Sequence, residues 1–170
     1  MNTVTLPASR LEIPESDYSI SGLKTLAGRE TRVVEAKLRR GKTVIADIQN
    51  DGNGGQTFAR FISREESAAF HAWVDSWTIR IESEYFPEGH AYDAGSVLDA
   101  LVDEVLLAKD LKRKAKTKFL FLEEGEDPMT EYHLLINITF ENPRLPERIA
   151  EYAPGAVLYW NNEGWVPVPK

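Results

Sequence analysis

Hydrophobic residues in this chain alternate with polar ones in the runs between Thr31 and Phe61, and at Ser63 the spacing changes to near 3.6. A period of two belongs to strands and a period of 3.6 to helices, so sheet must come first and helix after it. Thr31–Leu38 reads as a strand. In Thr43–Ile48, Val44, Ala46 and Ile48 alternate with Thr43, Ile45 and Asp47, and Gln56–Phe61 alternates again. Ser21–Gly28 predicts a shorter strand before them. The connection Arg39-Arg40-Gly41-Lys42 is tight and polar, as antiparallel neighbours require, so the first half is expected to be an antiparallel meander.

Ser63 with Glu66 three residues later forms a capping box, which satisfies free amides at a helix start. Phe70, Trp73, Val74, Trp77 and Ile81 then make one apolar stripe, while Glu65, Glu66, Asp75 and Glu82 take the remaining positions. Aromatic residues at helical spacing are read as packing against a sheet rather than as a base-stacking platform. Phe86–His90 reads as a loop. A second helix is expected from near Ser96, with Val97, Leu98, Leu101, Val102, Val105 and Leu106 on one side. Its Asp99 and Asp103 precede Lys109, Lys112, Arg113 and Lys114, an order that suits the helix dipole.

Further on, Lys118–Leu122 and Tyr132–Phe140 predict a hairpin around the acidic turn Glu123–Pro128. Both runs are apolar on two faces in places, which suits strands inside a sheet or beneath a helix. A short helix over Glu147–Tyr152 ends at Pro154-Gly155, Ala156–Trp160 reads as a last strand, and the proline-bearing tail Trp165–Pro169 can lie only at a sheet edge. Residues 1–19 lack a period and read as an extended arm that Leu6, Leu11 and Ile13 pin to the body. The expected architecture is therefore α+β: a single domain over 20–170, in which an antiparallel sheet is covered by two amphipathic helices.

At 170 residues and 42% hydrophobic content the chain can bury one sizeable core, hence one domain. A net charge of -7 disfavours binding to duplex nucleic acid, whose phosphates repel an acidic surface. There is no cysteine, which rules out disulfides, thiolate metal sites and a cysteine nucleophile. The first residues do not resemble a signal peptide, and no run is long and apolar enough for a membrane span. A soluble, cytoplasmic protein is expected.

The least ordinary segment is Asn50-Asp51-Gly52-Asn53-Gly54-Gly55, between two strand-like runs. Its alternating oxygens and glycines suggest a calcium loop. With Asp51 and Asn53 at the third and fifth positions, however, Gln49 stands at the first and Arg60 where a bidentate glutamate belongs. A phosphate cradle fails as well, because no lysine-serine/threonine pair follows and no helix opens there. What remains is a hairpin connection with more glycines than turning requires, and an exposed backbone of this kind is a candidate contact surface.

His71, His90 and His133 lie in different elements with no metal-ligand spacing, and each is read as solitary. Glu123, Glu124, Glu126 and Asp127 could attract a divalent ion but read as a solvated turn, so no metal and no cofactor are expected. Lys112, Arg113 and Lys116 could form an anion-binding face with Arg39, Arg40 and Lys42 if the two groups met. Dipole complementarity accounts for much of the later cluster without a ligand.

The strand pair with Val44–Gly55, followed by Leu98–Glu104 and its continuation into Lys112–Lys118, resembles small uncharacterised proteins carried by bacteriophages and prophages. The resemblance spans about Ser21 to Trp160. It implies an accessory protein acting in the bacterial cytoplasm by binding a host protein, for instance by blocking a defence or regulatory system, and it leans against an enzyme. Two other functions stay open. One is a binder or enzyme of a nucleotide or other phosphorylated small molecule, using the loop and the basic residues. The other is a self-associating structural protein, for which the arm and the tail are natural exchange elements.

Overall fold

The structure is a computed structural model that describes residues 2–77, 80–83 and 86–169, with the side chains of 80–83 and 86–90 outside that description. Among the described residues, twelve strands and three helices follow in order: β1 (Thr3–Thr5), β2 (Glu12–Pro14), β3 (Tyr18–Ala27), β4 (Arg32–Arg40), β5 (Thr43–Asp51), β6 (Phe58–Phe61), α1 (Arg64–Val74), β7 (Arg80–Ser83), β8 (Phe86–Ala91), α2 (Ala94–Ala115), β9 (Lys118–Leu122), β10 (His133–Ile136), α3 (Leu145–Tyr152), β11 (Leu158–Trp160) and β12 (Trp165–Pro167). The architecture is α+β and antiparallel, as the alternation and its change of period predict. Its strands are divided between two four-stranded sheets and two two-stranded ribbons. The chain divides into two compact units: Met1–Val4 with Glu12–Asp103, and Thr5–Leu11 with Glu104–Lys170.

The first unit holds the meander β3-β4-β5-β6. Val34, Ala36, Leu38, Ile45, Ala46 and Ile48 are buried on its central strands. The helix α1 packs on it through Phe70, whose ring meets Tyr18 edge-on at 5.3 Å and Phe61 at 5.5 Å. Ser63 caps that helix by accepting the Glu66 N–H at 3.2 Å. The reciprocal half of the expected box is given up, because the Glu66 carboxylate turns to Arg40 at 2.8 Å.

The apolar stripe through Ile81 overstates α1, which ends at Val74. Ser76 donates its hydroxyl to the Trp73 carbonyl at 2.6 Å, a local bond that competes with helical pairing. Trp77 is buried just past the helix, edge-on to Trp73. Ile81 lies in β7, and its side chain is outside the description. Phe86–His90, expected as a loop, forms the strand β8 paired antiparallel with β7. The helix α2 starts at Ala94, two residues before the expected Ser96, because Asp93 accepts the Ser96 N–H at 2.8 Å.

The second unit is built on the sheet β10-β9-β11-β12, with β9 in the interior as its two apolar faces predict. On one face Phe119 and Phe121 pack with Ile138 and with Leu145 and Ile149 of α3. On the other, Leu120 and Trp160 pack with Leu111 and Ala115 of α2 and with Ala8. The proline-bearing β12 forms a sheet edge, where missing amide donors cost least. Residues Thr5–Leu11 of the leading stretch belong to this unit. Within this unit the N–H groups of Ala8 and Ser9 donate to the buried Glu104 carboxylate at 2.8 and 2.7 Å, and Trp165 donates its indole N–H to the Ala8 carbonyl at 2.8 Å. Arm and tail are thus tied to each other within one chain. Among the described residues no helix is long and apolar enough to cross a membrane.

Candidate functional site

The glycine-rich segment connects β5 to β6 in the first unit, and its organising group is the buried side chain of Asn50. The amide oxygen accepts from the Gly52 N–H at 2.9 Å and from the Thr31 hydroxyl at 3.3 Å. The amide nitrogen donates to the Gly55 carbonyl at 3.0 Å and to the Thr57 hydroxyl at 3.2 Å. An asparagine side chain offers two lone pairs and two N–H groups, so its capacity is filled. The chain of bonds continues, because Thr57 donates its hydroxyl to Asp99 of α2. Burial holds the Asp99 carboxyl above the usual aspartate range, against the lowering effect of the Thr57 bond.

Gly52 carries the close approach that explains the glycine excess. It sits at φ +77°, and a Cβ there would lie 2.8 Å from the Gly28 Cα and 2.8 Å from Val33. Its carbonyl accepts from the N–H groups of Glu30 and Thr31, so the loop is laced to the β3–β4 turn. Gly54, at φ +86°, has the Glu30 carboxylate against it, whereas a Cβ on Gly55 would meet nothing within 4 Å. Two of the three glycines are therefore structural requirements and the third is open. Asp51, Asn53, Gly54 and Gly55 stay exposed around this rigid frame. Phe58, paired across the hairpin with Gln49, leaves 49% of its surface to solvent beside the loop.

The two basic groups fall in different units, Arg39, Arg40 and Lys42 in the first and Lys112, Arg113 and Lys116 in the second, so neither unit holds a combined face. Several of these cations already have partners. Arg39 donates to the Ser21 hydroxyl at 2.8 Å and to the Lys42 carbonyl at 2.6 Å, Arg40 pairs with Glu66, and Arg113 pairs with Asp110. Burial by itself would raise Asp110, but hydrogen bonds from Lys114, Tyr132 and Arg113 outweigh it and hold the carboxyl at about 2. Among the described residues Lys112 and Lys116 form no ion pair.

His133 is not solitary. Its Nε2 lies 2.7 Å from Glu126 Oε1, while Glu126 Oε2 accepts the Glu123 N–H at 2.7 Å. The Glu126 bond raises the His133 pKa; the Glu123 N–H, then the imidazole, lower that of Glu126. With Glu123, one ligand atom from each of the three lies within 4.8 Å of the others, close enough to hold a divalent ion. Asp127 is occupied by the turn, accepting the Met129 N–H at 2.9 Å. His71 Nδ1 donates within its own helix to the Ser67 carbonyl at 2.7 Å, and the His90 side chain is outside the description.

Sequence reading singled out the loop but missed what holds it. Thr31, Thr57 and Asp99 lie far from one another in the chain, and no spacing links them to Asn50. Phe58 left a faint signal as an aromatic placed where the alternation faces solvent. No protein-family model matches the chain, and no curated protein or solved structure matches it either.

Proposed function

We propose that this is a non-enzymatic binding protein of the accessory kind carried by bacteriophages, acting in the bacterial cytoplasm on a host defence or regulatory protein through the loop 50–55 and the surface beside it. The observation that carries the reading is the pairing of a pre-organised exposed loop with a half-exposed aromatic ring. Asn50 and Gly52 fix the backbone before any partner arrives, which spares the ordering entropy that a mobile loop would lose on binding. Phe58 then offers the apolar anchor that interfaces favour, flanked by the polar groups of Asp51 and Asn53.

Capture of a protein from bacterial lysate, compared between the wild-type chain and the variants Phe58→Ala and Asp51→Lys, tests the proposal. The partner is expected to be lost from both variants while their melting temperatures stay near the wild-type value. Retention of the same partner by both variants would sink it.

A further inference from the structure

Beyond that contact surface, the second unit contains an open cavity of about 310 Å³ lined by Asn137, Ile138, Asn142, Arg144 and Arg148. Its polar groups are mostly donors. Arg144 precedes α3 and Arg148 lies four residues on, a spacing that places both guanidiniums on one side of the helix despite their like charge. Their nearest carboxylates are Glu147, 3.7 Å from Arg144 Nε, and Glu151, 3.6 Å from Arg148 Nη1. Both are solvent-exposed ion pairs, of a kind worth little in water, and both are too long for a hydrogen bond. Among the described residues neither guanidinium donates a hydrogen bond, in contrast to Arg39, Arg40 and Arg113. The Tyr152 ring, 4.2 Å from the Arg148 guanidinium, braces it in place. The Asn142 amide oxygen is taken by the Arg144 N–H at 2.9 Å, which leaves the Asn142 NH₂ as its available end. Asn137 sits at φ +60°, in the left-handed region that asparagine tolerates better than most residues other than glycine.

We propose that this cavity binds a phosphomonoester of metabolite size, with its phosphate between Arg144 and Arg148 and its organic part over Ile138. A terminal phosphate supplies three acceptor oxygens and close to two negative charges, which match two planar guanidiniums better than a single carboxylate does. The cavity is larger than the phosphate alone needs and lies at the lower end of the range for small-molecule sites.

The test is titration of the full chain at low salt with glycerol 3-phosphate, followed by calorimetry and by amide shifts, with inorganic phosphate, sulfate, glutamate and glycerol as comparison probes. Saturable binding of glycerol 3-phosphate is expected, tighter than that of inorganic phosphate, with shifts at Asn137, Asn142, Arg144 and Arg148. Arg144→Gln and Arg148→Gln should each weaken it by about tenfold or more, since each removes a charge-assisted bidentate contact. Equal binding of sulfate or glutamate, unchanged affinity in both variants, shifts located elsewhere, or no saturation at millimolar concentration would each overturn the proposal. Both side chains reach solvent, so the variants are expected to fold, and matched melting curves confirm that the comparison is fair.

Discussion

The loop after β5 and the cavity beside α3 are opposites in how their polar groups are used. In the loop, the Asn50 side chain is buried and fully hydrogen-bonded, and only a glycine fits at position 52 because Gly28 and Val33 leave no room for a side chain. In the cavity, Arg144 and Arg148 each have an exposed glutamate at ion-pair distance, 3.7 and 3.6 Å, and neither guanidinium donates a hydrogen bond among the described residues. The contrast teaches that residues conspicuous in a sequence can be absorbed by folding, while ordinary ones can be left with chemistry to spare. A filled network makes a rigid platform, and an unfilled one is where the proposed ligand would bind.

The largest effect is expected at Gly52. Gly52→Ala places a methyl group against backbone and Val33 at a positive φ, and it should cost about 3 kcal/mol in chemical denaturation. A variant of wild-type stability would mean that the loop is not laced to the β3–β4 turn. Asn50→Ala should cost about 2 kcal/mol by leaving the Gly52 N–H and the Thr57 hydroxyl without their partner.

At the hairpin of the second unit the expected effect is a titration. The raised His133 favours folding fully below the ordinary histidine pKa of 6.5 and loses that contribution as pH rises through the folded value. The lowered Glu126 contributes above the ordinary 4.5 and loses its share as pH falls through its own folded value. The pair is therefore most favourable between those two ordinary values. Nuclear magnetic resonance titration of the His133 ring should give a pKa above 6.5 that falls toward it in Glu126→Gln; an unmoved value in that variant would remove the pairing. The smallest effects belong to Gly55→Ala, Arg144→Gln and Arg148→Gln, each expected within about 0.5 kcal/mol of wild type because each substitution meets open space or solvent. A larger loss at either arginine would make the cavity a structural feature and erase its contrast with the loop.

Much of the fold is legible in the chain because periodicity reports which face of an element is buried. The meander, the cap at Ser63, the long second helix and the interior strand Lys118–Leu122 all follow from local pattern. The end of α1 was hidden because Trp77 and Ile81 continue a helical spacing by coincidence, while the stop depends on a Ser76 bond to the backbone. Division into two units was hidden too, since α2 runs across the boundary at Asp103 without a break in composition. Of the candidate site, the loop was visible and its supports were not. Gly28 and Thr31 reach Asn50 and Gly52 only through the antiparallel pairing of β4 with β5, Asp99 reaches the network only from α2 by way of Thr57, and the Arg144 and Arg148 spacing reads on its own as an unremarkable charged turn of helix.

The rigidity of the loop carries both the fold argument and the proposed contact, and amide hydrogen exchange of the unmodified protein tests it most directly. The Gly52 N–H, held by the buried Asn50 oxygen, should be protected to a degree comparable with the central residues of β5, whereas the Gly55 N–H should exchange quickly. Exchange of Gly52 at the rate of an unstructured peptide would contradict the account.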